Sequence, residues 1–388
     1  MNPIPYGRQH ITKEDIKAVV EALQSDYLTQ GPRIALFERA FADYVNAPEG
    51  VAVSNATAGL HIAAKALGVK PGQKVIVTPI TFAASANCIR FCGGDIEFCD
   101  IDPYTFLLDL DKLEEKLQSN PPGTFAGVVI VDFAGYPVDG KRLRDIADRY
   151  GLWVIEDACH APGASRRYGA EVSKAGDCLY ADATVFSFHP VKHIATGEGG
   201  MVTARRPEII ERLRLFRTHG ITKDPARLEK NDGGWYYEMQ ELGFNYRLTD
   251  FQAALGLSQL KRADEGLKRR NEIAERYDRE LASIPGLVTP FRERDIYHAF
   301  HLYVIRTPHR KELYDYLHQH GILAQIHYVP LHLMPYYRNL GSRPGDCPTA
   351  EKYYEECLSL PMFPSLSYDD QTRVIETIHK FFDKTDIS

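Results

Sequence analysis

The stretch GVVIVDFAGYPVDGKRLRDIADRYGLWVIED, residues 127–157, decides the fold class of this 388-residue chain. Two continuous apolar runs, VVIV and WVI, stand on either side of a segment typical of a helix. Strands that are apolar on both faces are typical of a parallel sheet, because helices cover both of its faces. The stretch therefore predicts a strand over 127–133, a helix over 141–150 and a strand over 153–156.

The same alternation of strands and helices extends on both sides of this unit. Further strands are predicted over 51–54, 74–78, 95–100, 184–188 and 200–204, and further helices over 60–67, 83–91 and 110–117. Before them, Thr12 and Asp15 form a capping-box-like start for a first helix. The repeated order of strand and helix predicts an α/β fold with a largely parallel sheet.

The pattern changes near residue 250, and we predict a large domain over 1–255 and a smaller α+β domain over 256–388. A long helical segment with a charged face covers 248–281. The predicted elements after it are a strand over 301–306, a helix over 311–320, a strand over 323–328 and terminal helices.

The composition argues against several classes of protein. Lysine and arginine number 46 against 52 aspartates and glutamates, and a net charge of −6 argues against nucleic acid as a partner. The seven cysteines are odd in number and form no Cys-x-x-Cys pair, which is typical of reduced thiols. No apolar run has the length of a membrane span or a signal peptide. We therefore expect a soluble cytoplasmic protein without a membrane partner.

Two segments near predicted strand ends have the composition of an anion site or a helix cap. The residues SNATA (54–58) follow a strand and begin a helix, whose free N–H groups favour an anion such as phosphate. The alternative is a plain N-cap. In GFNYRLTD (243–250), a cap explains Thr249 and Asp250 but leaves Asn245 and Arg247 unexplained.

Two other segments carry ionisable side chains that could take part in catalysis. EDACH (156–160) places Asp157 at a strand end, where a buried carboxylate needs a partner such as a protonated heterocycle, unless it only caps the next turn. Lys192 follows a buried strand in a glycine-rich setting. Burial disfavours an ammonium and so favours a nucleophilic amine, as Schiff-base chemistry requires. The alternative is an exposed loop lysine.

Other common site patterns are missing from the sequence. Neither G-x-G-x-x-G nor a Walker A motif occurs, so a nicotinamide or P-loop site has no support. No metal is expected, because the histidines do not have zinc-site spacing. The histidines considered for that role are His298, His301, His327 and His332.

Taken together in this order, the segments resemble pyridoxal-phosphate enzymes of fold type I, and within them the sugar aminotransferases of the DegT/DnrJ/EryC1/StrS family. The resemblance spans nearly the whole chain. The segments that carry it are PYGRQ (5–9), LTQGP (28–32), NATAGLH (55–61), TFAA (81–84), DFAG (132–135), EDACH (156–160), FSFHPVK (186–192), THGI (218–221), ELGFNYRLTD (241–250) and HY (327–328). The family's fold implies a mostly parallel seven-stranded sheet with a smaller C-terminal domain.

The resemblance also implies roles for individual residues. Lys192 would hold pyridoxal 5′-phosphate covalently and move protons, and Asp157 would pair with the ring nitrogen. Phe82 would stack on the ring, and His160 would lie near its phenolic oxygen. The residues implied for the phosphate are Thr57, the N–H of Ala58, Ser187 and, from the neighbouring subunit of a homodimer with shared sites, Asn245. The residues implied for the substrate are Tyr6, Thr29, Gln30, Arg247, His327 and Tyr328.

Within the family, the motifs resemble most closely the branch that serves pseudaminic acid synthesis. That branch implies L-glutamate as the amine donor and a UDP-linked 4-keto-6-deoxy-N-acetylhexosamine as the acceptor. The product would be UDP-4-amino-4,6-dideoxy-N-acetyl-β-L-altrosamine. The chain departs from the branch at Pro162 and His193. The alternatives are an aminotransferase for another UDP- or dTDP-linked keto sugar, aminated at C3 or C4, and a sugar dehydratase. Related dehydratases carry histidine where Lys192 stands here.

Overall fold

The computed structural model describes residues 2–384. Its strands are β1 (Ile4–Pro5), β2 (Glu49–Val53), β3 (Lys74–Val77), β4 (Asp95–Phe98), β5 (Phe125–Val131), β6 (Trp153–Asp157), β7 (Ser165–Tyr168), β8 (Glu171–Lys174), β9 (Ala183–Ser187), β10 (Gly200–Ala204), β11 (Ile221–Thr222), β12 (Glu238–Met239), β13 (Ile296–Tyr297), β14 (Tyr303–Arg306), β15 (Ile322–Leu323) and β16 (Cys357–Leu360).

The helices alternate with these strands in the first half of the chain and dominate the second half. They are α1 (Lys13–Leu23), α2 (Pro32–Val45), α3 (Ala56–Ala66), α4 (Ala84–Phe91), α5 (Leu110–Gln118), α6 (Gly140–Tyr150), α7 (Pro207–Arg217), α8 (Asp250–Leu260), α9 (Ala263–Leu281), α10 (Arg310–Gln319), α11 (Pro335–Asn339), α12 (Pro348–Glu356) and α13 (Tyr368–Lys384), with short 3₁₀ turns at Phe133–Gly135 and Leu331–Leu333.

A seven-stranded sheet in the order β2-β10-β9-β6-β5-β3-β4 forms the centre of the molecule. Only β10 runs against its neighbours, and every other adjacent pair is parallel. Six strands therefore point the same way, and their carboxyl ends meet at one edge of the sheet. The predicted α/β fold with a mostly parallel sheet is confirmed.

Helices cover both faces of this sheet, as the apolar runs predict. Successive side chains of a strand point to opposite faces. In β9, Val185 packs into a core that includes α3 and α7, whereas Phe186 packs into a second core that includes α2. Both side chains are completely buried. A strand buried on both faces has no room for polar alternation, which is the physical reason for the continuous apolar runs.

The predicted strands of the sheet are all present, each within two residues of its predicted ends. The capping box of α1 is also confirmed, because Thr12 and Asp15 exchange side chain-to-backbone hydrogen bonds. The prediction for 323–328 is wrong. Only Ile322–Leu323 is a strand, and it pairs with β1. Beyond it Gln325 forms a single bridge to Ser359, and His327 and Tyr328 line a cavity instead of joining a sheet.

The C-terminal half has a core of its own. Side chains of α9, α10, α13, β14 and β16 pack together there, and Ile4 of the N-terminal strand joins them. The preceding helix, α8, packs against α1 and α2. The domain boundary predicted between 255 and 256 falls within α8, and its position stays a prediction. In the described part of the chain, no helix combines the length and apolar character needed to cross a bilayer.

Candidate active site

A cavity of about 650 Å³ opens at the edge where the parallel strands end. Ligands of open α/β sheets bind at this edge, beyond the carboxyl ends of the strands. The predicted site residues that line it are Tyr6, Thr57, Phe82, Asp157, His160, Ser187, Lys192, His327 and Tyr328. The tertiary structure therefore brings together residues from segments that are far apart in the sequence.

Lys192 projects from a loop that begins at the end of β9. The loop is closed by backbone hydrogen bonds, in which Lys192 N–H donates to His189 and Thr196 N–H donates to Phe188. Lys192 Nζ lies 3.4 Å from His301 Nε2. Burial lowers the pKa of the Lys192 amine below its ordinary value. A larger fraction of the amine is then uncharged and nucleophilic at neutral pH.

Asp157 is the last residue of β6 and forms part of the cavity floor. Its side chain is 5% exposed. Ser85 Oγ–H donates to Asp157 Oδ2 at 2.6 Å, and the N–H of Cys159 donates to Oδ1 at 3.2 Å. These hydrogen-bond donors are neutral, and no lysine or arginine of the described residues forms an ion pair with the carboxylate. A buried carboxylate without a cation is well suited to bind a protonated ring nitrogen.

His160 presents an N–H donor to the same cavity. The backbone N–H of Ala134 donates to His160 Nδ1 at 3.2 Å. Burial lowers the pKa of His160 well below its ordinary value, so the ring is neutral. A neutral imidazole has one N–H, and because Nδ1 accepts, the proton lies on Nε2. Nε2 lies 3.3 Å from the hydroxyl oxygen of Tyr328, and its N–H can donate a hydrogen bond to a ligand oxygen in the cavity.

The beginning of α3 forms one wall of the cavity and has the properties of an anion site. Asn55 is the N-cap, and its Oδ1 accepts the N–H of Ala58 at 2.9 Å. The resemblance assigns that N–H to the phosphate, and the assignment stays a prediction. Thr57 and Ser187 line the cavity with hydroxyl groups. A Cβ added at Gly200 would lie 2.8 Å from the backbone N of Ala56, so glycine is needed for this close packing.

Aromatic side chains occupy the outer part of the cavity. Phe82 is 62% exposed and lies 6.4 Å from the ring of Tyr328. Tyr6 lies 5.1 Å from the ring of His327, whose Nδ1 is hydrogen bonded to Ser359 Oγ at 2.8 Å. An exposed aromatic face such as that of Phe82 can stack on a planar ligand.

The remaining predicted residues do not line the cavity of their own chain. Thr29 pairs with Thr249, and Gln30 follows in the same turn. Asn245 pairs with Thr218 and is exposed, and Arg247 is half-buried. The roles of Thr29, Gln30, Asn245 and Arg247 stay predictions, and a contribution to a cavity would have to reach a second subunit.

Sequence reasoning missed several polar residues of the site, three of which are linked to Asp157 or Lys192 by hydrogen bonds. Ser85 holds Asp157, and Thr81 Oγ1 in turn lies 2.7 Å from Ser85 Oγ. His301 contacts Lys192, although the sequence suggested only a metal role for it, and without support. Thr81 belongs to the TFAA segment that carries the resemblance. No pattern in the sequence marks His301, because Lys192 lies 109 residues away.

The residues present fit pyridoxal phosphate. A buried carboxylate without a cation suits the ring nitrogen, and an amine with a lowered pKa suits the carbonyl carbon. Free N–H groups of Ala56 and Thr57, which have no acceptor among the described residues, suit the phosphate. The cavity volume lies within the ordinary range for small-molecule sites.

Comparisons with known proteins find relatives that match nearly the whole chain. Residues 9–379 match the DegT/DnrJ/EryC1/StrS aminotransferase family. The chain is 41% identical over 383 residues to the spore coat polysaccharide biosynthesis protein SpsC of Bacillus subtilis, covering 97% of this chain and 96% of that protein. It is 35% identical over 386 residues to a UDP-4-amino-4,6-dideoxy-N-acetyl-beta-L-altrosamine transaminase of Campylobacter jejuni, covering 98% of both chains.

Solved structures are similar over the same length. Helicobacter pylori PseC, described as an aminotransferase involved in the biosynthesis of pseudoaminic acid, is 31% identical with a TM-score of 0.90, covering 99% of this chain and 100% of that one. The PLP form of the putative sugar aminotransferase Spr1654 from Streptococcus pneumoniae is 29% identical with a TM-score of 0.89, covering 98% of this chain and 99% of that one.

Proposed function

The chain belongs to the DegT/DnrJ/EryC1/StrS aminotransferase family and is a pyridoxal-phosphate-dependent sugar aminotransferase, and we propose that its acceptor is a UDP-linked 4-keto-6-deoxy-N-acetylhexosamine. L-Glutamate is the proposed amine donor, and C4 is the carbon that receives the amine. The product is then UDP-4-amino-4,6-dideoxy-N-acetyl-β-L-altrosamine. The observation that carries this proposal is the end-to-end similarity to a transaminase named for that sugar.

Lys192 is the residue proposed to carry the cofactor and to transfer protons at Nζ. Bound pyridoxal phosphate supplies a carbonyl that takes up the amino group and a protonated ring that withdraws electrons from the adjacent carbon. The lowered pKa of Lys192 supports its role, because a proton carrier works best when its pKa is close to the working pH. The position of Lys192 on the cavity wall supports this proposed role.

Asp157 and His160 are proposed to hold the ring from two sides. Asp157 would accept the N–H of the ring nitrogen, and Ser85 keeps its carboxylate directed into the cavity. His160 would donate its Nε2–H to the phenolic oxygen, which its neutral tautomer allows. Thr57 and Ser187 would donate hydroxyl protons to the phosphate, and Phe82 would stack on the ring.

We further propose that the working unit is a homodimer in which Asn245 reaches the phosphate site of the other subunit. Asn245 is exposed and follows a short β hairpin, β11–β12. The hairpin region carries large exposed apolar side chains, of which Trp235 is 75% and Leu242 is 71% exposed. We propose that these side chains form part of a surface that is covered in the dimer.

A second candidate acceptor is another nucleotide-linked keto sugar of a polysaccharide pathway. It is favoured by the 41% identity to a spore coat polysaccharide biosynthesis protein, which exceeds the 35% identity to the altrosamine transaminase. A dehydratase has less support, because position 192 is a lysine.

The test is an acceptor panel. Purified protein with pyridoxal phosphate and glutamate is mixed with UDP- and dTDP-linked sugars bearing a keto group at C3 or C4. Release of 2-oxoglutarate gives kcat/KM, and mass spectrometry with NMR identifies the product. We expect the UDP-4-keto-6-deoxy-N-acetylhexosamine to exceed the others by at least about tenfold, which corresponds to roughly 1.4 kcal/mol of selectivity. A preference for a dTDP-linked or a 3-keto sugar would overturn the proposal. Lys192→Ala serves as the inactive control.

A further inference from the structure

Among the described residues, the one hydrogen-bond partner of Lys192 Nζ is His301, which has no role in the function described so far. Its ring is buried, and Nε2 lies 3.4 Å from Lys192 Nζ. Nδ1 is buried without a hydrogen-bond partner among residues 2–384. Burying a ring nitrogen without a hydrogen-bond partner costs free energy. The contact with the Lys192 amine is the hydrogen bond that the other ring nitrogen makes.

A buried arginine fixes the backbone on which His301 stands. Arg270 is 1% exposed, and its guanidinium donates to the carbonyl oxygens of Phe300, His301 and Met362 at 3.0, 3.3 and 3.0 Å. Within the described residues, all of these partners are neutral carbonyl groups and none is a carboxylate. No carboxylate among these partners therefore neutralises the positive charge of the Arg270 guanidinium near His301.

This arrangement keeps the His301 ring neutral. Burial lowers the pKa of His301 well below its ordinary value, and nearby positive or ionisable groups lower it further. The groups that face His301 are Lys192, His160, His193 and Arg270. The groups that face Lys192 are Cys159, Asp157, Arg270, His160, His193, His301 and His327.

A neutral imidazole suits an amine that changes its protonation state. It has one donor and one acceptor nitrogen, and either tautomer can place the required one at Nε2. Nε2 can accept a hydrogen bond from an ammonium group, or its N–H can donate a hydrogen bond to the lone pair of a neutral amine. Leucine, by comparison, could do neither.

We propose that His301 is a positioning residue for Lys192: its imidazole holds the amine through Nε2 in both protonation states and directs Nζ into the cavity. The proposal rests on the assignment of Lys192 as the residue that carries the cofactor. It does not depend on the identity of the sugar. Arg270 supports the same function by fixing the backbone of residues 300 and 301.

The test measures covalent attachment of the cofactor in the full-length protein after the cofactor has been removed. Pyridoxal phosphate is added back, the rate of attachment is followed by absorbance from pH 6 to 9, and borohydride reduction with peptide mapping locates the attached lysine. Binding of 4′-deoxypyridoxine phosphate, which lacks the carbonyl and cannot attach, is measured in parallel. This second readout reports an intact cavity.

We expect His301→Leu and His301→Asn to slow attachment at least about tenfold, because a small misplacement of a reacting group costs one to two orders of magnitude. His301→Gln, whose amide has a similar reach and can donate or accept, should stay within about threefold of the wild type. All three variants should bind the deoxy analogue normally. His332→Leu is the matched control, since His332 is a buried histidine that does not line the cavity.

Two results would overturn the proposal. Attachment in His301→Leu and His301→Asn at the wild-type rate and pH dependence would show that the contact with Lys192 has no positioning role. A parallel loss of attachment and of analogue binding would show a purely structural role. If the wild-type protein itself is not labelled at Lys192, the assignment of the lysine fails, and this outcome is distinct from the other two.

Discussion

Replacing Asp157 with asparagine should remove the charge of the cavity floor while its shape is preserved. The carboxylate is 5% exposed and is held by Ser85 Oγ–H at 2.6 Å and by the N–H of Cys159 at 3.2 Å. An asparagine keeps the bond from Cys159, and its amide can donate to Ser85 Oγ instead of accepting from it. The variant should therefore fold and bind the cofactor.

The loss of rate follows from the missing ion pair. Opposite charges about 4 Å apart attract each other by roughly 4 kcal/mol at an effective dielectric constant of about 20. Without that attraction, the protonated form of the ring is less stable by the same free energy and is therefore less populated. Since about 1.4 kcal/mol corresponds to a factor of ten, we expect the rate of amine transfer to fall about 10³-fold.

The assay is a single turnover of glutamate on protein that is fully loaded with cofactor, followed by absorbance. Asp177→Asn is the matched control, because Asp177 is 6% exposed, is held by Ser173 and backbone N–H groups, and lies outside the cavity. A cofactor methylated at the ring nitrogen carries its positive charge permanently, and it should restore much of the rate to Asp157→Asn.

A loaded Asp157→Asn protein that reacts within tenfold of the wild type would contradict the ion-pair reasoning. The same holds if Asp177→Asn loses as much rate, because the loss would then reflect a general disturbance of the fold. Failure of the methylated cofactor to help the variant would show that the charge of the ring is not what Asp157 controls.

Three further predictions concern assembly and stability. A mixed dimer of Lys192→Ala with Asn245→Ala should regain one competent site and about half the wild-type rate, because one site then has both residues; no recovery would contradict shared sites. Burial lowers the pKa of His61 from 6.5 to about 4, so the unfolded state binds more protons in that window and stability should fall as the pH drops from 6.5 to 4. In urea unfolding, the free energy of unfolding should fall between pH 7.5 and pH 4.5 by about 2 kcal/mol less in His61→Leu than in the wild type. Arg262→Met should lower the free energy of unfolding by about 3 kcal/mol, because the buried carboxylate of Asp15 then loses its cation at 2.5 Å and keeps only neutral hydrogen-bond donors; adding Asp15→Asn should recover part of that loss.

The sequence alone determined the α/β architecture and predicted two residues that line the cavity. The strands are visible because burial on both faces requires continuous apolar residues, and this requirement acts locally along the chain. Lys192 and Asp157 are visible because each follows such a strand, and parallel strands bring their carboxyl ends to one edge. The roles of the individual cofactor residues came from the family resemblance.

Only the tertiary structure decided which distant side chains complete the site. Ser85 reaches Asp157 across 72 positions, and His301 reaches Lys192 across 109. Residues 323–328 have the composition of a strand, yet only Leu323 lies in one, and His327 and Tyr328 line the cavity instead. Such contacts depend on how separate elements pack in space, and the local apolar pattern of each element carries no information about its distant neighbours.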